Sequence, residues 1–147
     1  MKKKIVVAMP IETEMLETIQ KWAEKEDFTH ADLVFTHYVR QEYSGYEMTV
    51  VSYPDEKIFA EMKPVLTNHF QALCSKMLKP GVSFKVEVLL SPSPADSMVK
   101  NLSNHKADMI VVATRGKTGL AGFFGSSFAD HMTKFSPCDL LVLRPRR

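Results

Sequence analysis

Cysteine is scarce in this chain. Cys74 and Cys138 stand far apart and belong to no Cys-x-x-Cys or Cys/His cluster, which excludes a disulfide framework and a zinc ribbon and suits a reducing, cytoplasmic setting. No sign of charge dominates either. Nineteen Lys and Arg face seventeen Asp and Glu, a net +2, too little to argue for nucleic acid. The excess collects at Lys2, Lys3, Lys4 and at Arg144, Arg146, Arg147, which read as solvated ends. Long hydrophobic runs are missing. The apolar residues 5–9 follow three lysines as a signal peptide would, but Pro10, Glu12 and Glu14 stop them. Nothing approaches the ~20 apolar residues of a membrane span. The five histidines share no short metal-binding spacing, so no metal ligand set is recognised.

What remains is an ordinary globular composition: 147 residues, 45% apolar and 24% charged. That length predicts one domain, residues 1–147. Residues 5–9 form a continuous β-branched run, the pattern of a strand covered on both faces. Further strands are predicted at 31–39, 82–90, 107–113 and 140–143, the last closed off by Pro145. Between them lie amphipathic stretches. Met15, Ile19, Trp22 and Ala23 recur at helical spacing in 12–25, and Ile58, Met62, Leu66, Phe70, Leu73 and Met77 mark a longer face. Pro64 falls inside that face, where a kink or two abutting helices are expected. A third helix is predicted over 94–104, with Ser93 as cap and Pro94 at its first position. A fourth spans 126–135, with Phe128, Met132 and Phe135 turned to the core. His37, on a strand, reads as a packed or carbonyl-bonded histidine. Cys138 reads as a buried structural thiol, and the methionines on helix faces as core filler. Strands alternating with helices imply a parallel α/β sheet covered on both faces. Residues 40–53 break the alternation and read as an extra edge strand or an ordered flap.

The chemistry concentrates in residues 113–127, ATRGKTGLAGFFGSS. Four glycines at three-residue spacing follow a buried strand and lead into a helix. Such a loop lets backbone N–H groups approach an anion, and the helix N-terminus adds partial positive charge. Arg115 and Lys117 offer countercharge. Two familiar motifs fail: the P-loop requires Gly where Val111 stands, and no strand is followed by the paired glycines of a dinucleotide fingerprint. A glycine-rich connection without a ligand stays open at this point.

On these residues the chain resembles the universal stress protein family. The resemblance rests on the block at 108–116 (DMIVVATRG), the Pro94-Ala95 helix start and the ending at 136–144 (SPCDLLVLR), and covers all but 40–53. It implies an open, doubly wound five-stranded parallel sheet with strand order 3-2-1-4-5, of the adenine-nucleotide α-hydrolase-like kind. It also implies a cleft at the C-terminal ends of the first and fourth strands that holds ATP or AMP. The family motif is Gly, two residues, Gly, nine residues, then Gly with Ser or Thr. Here Ala113 occupies the first position and Gly116 the second, and only eight residues precede Gly125-Ser126. The Asp that meets the adenine ring in nucleotide-binding members is replaced by Pro10, which offers no side-chain acceptor. Carried across, Ala8, Met9 and Pro10 would flank the base with Val39 beside it. Gly116, Gly125, Ser126 and Ser127 would hold ribose and phosphate, and Arg115 would add charge.

The resemblance therefore implies a non-enzymatic stress-response module that binds an adenine nucleotide. A dimeric protein-interaction scaffold that has lost the nucleotide is the alternative. An enzyme would need a paired acid and base or an activated nucleophile, and neither is recognised. The final strand (Leu140, Leu141, Val142 and Leu143) would lie at an exposed edge and carries no charge of its own. Unpaired edges template pairing with another chain, and the resemblance points the same way, so a homodimer through these four residues is expected.

Overall fold

A computed structural model describes residues 2–115 and 128–145. The β-branched run becomes β1 (Lys3–Ala8), which lies at the centre of a five-stranded sheet. Its neighbours are β2 (Ala31–Arg40) on one side and β6 (Met109–Ala113) on the other. The edges are β5 (Phe84–Ser91) and β7 (Asp139–Leu143). Every pairing is parallel, with Val7 opposite both Phe35 and Val111. In order of appearance along the chain, this sheet is the 3-2-1-4-5 arrangement that the family resemblance implies.

Because side chains alternate across a strand, the sheet carries two cores. On one face Ile5, Val7, Leu33 and Phe35 meet α1 (Thr13–Lys25) through Ile19 and Ala23, and α2 (Glu56–Met77) through Phe70, Cys74 and Met77. On the other, Val6, Val34, Ile110 and Val112 meet α3 (Pro94–His105) through Met98 and Leu102, and α4 (Phe128–Phe135) through Met132. The helix-face methionines do fill the core: Met77, Met98 and Met132 are buried, and Met15 and Met62 half-buried.

Several expectations are corrected. Residues 40–53 are no edge strand of this sheet. They form a separate antiparallel hairpin of β3 (Glu42–Tyr46) and β4 (Thr49–Tyr53). Tyr43 and Val50 lie on one face and Val51 and Tyr53 on the other, all more than half exposed, and Met48 at the tip is 99% exposed. The segment α2 runs unbroken through Pro64. Pro64 lies on the wet side of the helix next to exposed Ala60, so water can satisfy the carbonyl that proline leaves unbonded. Ser93 precedes α3, but its Oγ donates to the Asp96 carboxylate (2.8 Å) and accepts no backbone N–H. Phe135, expected inside, is 58% exposed and packs its ring on His131 at 4.7 Å. Cys138 is half-buried, not buried, and lies beside Ser136, whose Oγ donates to the Cys138 carbonyl.

Candidate functional site

In a doubly wound sheet the ligand crevice opens where neighbouring strands send their connections to opposite faces. Here that point lies between β1, which leads into α1, and β6, whose following helix α4 packs on the other face. Ala8 closes β1, Met9 is buried behind it and Pro10 is half-buried. Ala113 closes β6 in the core, and Arg115 emerges two residues later, exposed. Val39, near the end of β2, packs against the core on the α1/α2 face. The structure therefore gathers Ala8, Met9, Pro10, Ala113 and Arg115 at one end of adjacent strands. Gly116, Gly125, Ser126 and Ser127 lie outside the described residues.

Two side chains that the sequence reading did not assign to the cleft help to shape it. Glu12 reaches across from the N-terminus of α1 and accepts a 2.7 Å hydrogen bond from Arg115 Nη2. Glu12 is the residue preceding α1, yet its carboxylate caps no backbone N–H of that helix. The pair joins the segments that leave β1 and β6. No local pattern could have revealed it, since the partners are 103 residues apart.

His37 is the other. Its Nδ1 lies 2.7 Å from the Met9 carbonyl, which can only accept, so Nδ1 carries the proton. The ring also packs on Phe70 at 4.9 Å. The carbonyl-bonded histidine expected from the sequence is thus present, and it ties β2 to the residue that follows β1. On the opposite face, Thr36 pairs in register with Ala8. Its buried Oγ1 has no hydrogen-bond partner among the described residues, an uncommon condition for a hydroxyl.

Burial pushes the His37 pKa below the ordinary histidine value, and the bond to Met9 offsets this only in part. A histidine depressed in the folded state stabilises the fold above its unfolded pKa of about 6.5, and that contribution disappears as pH falls through the lower folded value. Urea midpoints at pH 7.5 and 5.5 should fall less in His37→Gln, which keeps a donor but does not titrate, than in the parent. Equal slopes would show that His37 does not report on acid stability.

The thiols are chemically quiet. Burial pushes Cys74 up to about 12, and burial also raises Cys138. Among the described residues no group of three or more His, Cys, Asp or Glu could hold a metal ion, and no helix is long and apolar enough to cross a membrane.

The model of the universal stress protein family matches residues 1–144. The chain belongs to the universal stress protein family. Among curated members, universal stress protein MJ0531 of Methanocaldococcus jannaschii is 28% identical over 121 residues, covering 78% of this chain and 71% of that protein. Solved structures of the family share the fold at lower identity. A universal stress protein in complex with cAMP superposes with a TM-score of 0.67 at 16% identity, covering 99% of this chain and 98% of the other. A family protein from Arabidopsis thaliana with AMP bound gives 0.63 at 17% identity, covering 98% and 92%. The matched residues 1–144 take in the hairpin of β3 and β4, which the motif resemblance had left out.

Proposed function

We propose that this universal stress protein is a non-enzymatic, cytoplasmic stress-response module that binds an adenine nucleotide, ATP or AMP, at the C-terminal ends of β1 and β6. The convergence of Ala8, Met9, Pro10 and Arg115 at the crevice of the parallel sheet carries the reading. Solved relatives of the same fold hold cAMP and AMP. The base would lie against Ala8, Met9, Pro10 and Val39. Gly116, Gly125, Ser126 and Ser127 would hold ribose and phosphate, beside Ala113 at the end of β6. Pro10 supplies no side-chain acceptor for the adenine amino group, and the Met9 carbonyl already accepts one hydrogen bond from His37. Recognition of the base then rests on shape and backbone, which favours modest affinity.

Heat extraction of freshly purified protein, followed by chromatography, should release an adenine nucleotide. Calorimetry should show binding of ATP or AMP that is lost, by more than ten-fold, in Gly125→Val. A β-branched side chain there would fill space that a glycine leaves to phosphate. Unchanged affinity in Gly125→Val would remove that residue from the site. The second reading is a homodimeric scaffold without nucleotide, favoured by the pair in which Glu12 already engages Arg115.

A further inference from the structure

A charge pair joins the segments that leave β1 and β6, at the strand ends where the nucleotide reading places an anionic ligand. Glu12 and Arg115 are each 43% exposed and lie 2.7 Å apart. Glu12 could have capped α1, and an acidic side chain at that position ordinarily interacts favourably with the helix N-terminus. Its carboxylate is instead engaged with Arg115. Among the described residues, the strand ends thus carry the Glu12 carboxylate on the β1 side and the Arg115 guanidinium on the β6 side.

We infer that Glu12 is a specificity-determining residue for the charge of the ligand. By holding Arg115 and presenting its own negative charge, it selects against highly charged nucleotides and shifts preference from a triphosphate towards a monophosphate. The inference rests on the nucleotide reading above and adds to it a residue and a direction. The physical basis is electrostatic. A carboxylate beside a bound phosphate opposes every negative charge the ligand carries, and it competes with phosphate oxygens for the guanidinium fork. A neutral nucleoside carries no such charge and is indifferent to it.

The test compares the parent protein, Glu12→Gln and the double variant Glu12→Gln/Arg115→Gln for binding of adenosine, AMP and ATP by calorimetry at low salt. Glu12→Ala is a second variant should the amide perturb α1. Glu12→Gln should tighten AMP by about ten-fold and ATP by more, with adenosine unchanged and the gain shrinking as salt rises. The double variant should show no gain. Equal loss of adenosine, AMP and ATP would overturn the inference, because Glu12 would then touch the nucleoside. Unchanged affinity for all three would overturn it too, because Arg115 would not face the phosphates. If neither parent nor variants bind any of the three, the nucleotide reading itself falls and takes this inference with it.

Discussion

Phe70→Ala should lower the free energy of unfolding by about 3–5 kcal/mol, the range for truncating a buried aromatic ring. Phe70 has no exposed surface. With Cys74 and Met77 it forms the buried side of α2, a helix otherwise wet along much of its 22 residues. The ring also supports His37, so the cavity would open directly behind the residue that fixes the Met9 carbonyl. Helix and sheet are both well packed there, which limits collapse into the space. Urea unfolding read by circular dichroism measures the loss. A change below about 1 kcal/mol would mean that α2 is held elsewhere.

Val142→Glu should convert a dimer into a monomer, a halving of mass in sedimentation. The two edges of the sheet are not alike. The strand β5 carries Lys85 and Glu87 in its first half, charges of the kind that discourage edge pairing, whereas β7 reads Asp-Leu-Leu-Val-Leu, with charge only at its start. The pairing of β7 with β6 leaves its other side as the sheet's edge. Val142 is 36% exposed, so a carboxylate there is tolerable in a monomer. Two copies meeting about a twofold axis at this strand would bring the carboxylates together, where like charges repel. The parent should sediment at twice 16.7 kDa. A parent mass near 16.7 kDa refutes the dimer, and a dimer indifferent to Val142→Glu moves the interface to another surface.

The sheet was legible because its central strands are buried on both faces. Residues such as Ile5, Val6 and Val7 then form continuous apolar runs that little else in a chain imitates. The order of the strands came from family resemblance, since no local pattern encodes which strands are neighbours. The hairpin escaped because its signals are misplaced. Gly45, the residue that could announce a turn, lies within β3. The left-handed turn position is taken by Glu47, with φ of 56°, against the usual preference for Gly or Asn. Phe135 misled because helical periodicity gives a face but not where the partner surface ends, and α4 is too short to bury its last turn. At the cleft, the residues adjoining the strand ends were readable. Glu12 was not, because a salt bridge between distant segments depends on how the ends of β1 and β6 meet in space.

The hairpin has a consequence of its own. Its base is fastened by Gln41, whose backbone N–H donates to the Ser91 carbonyl and whose Nε2 donates to the Pro54 carbonyl. Beyond that clasp, among the described residues, β3 and β4 pair only with each other, and a lone two-stranded ribbon is marginal in water. Its amide protons should therefore exchange through openings that leave the five-stranded sheet closed, at a small fraction of the global unfolding free energy. Hydrogen exchange should resolve two tiers of cooperativity, the lower one comprising the tyrosine- and valine-bearing arm.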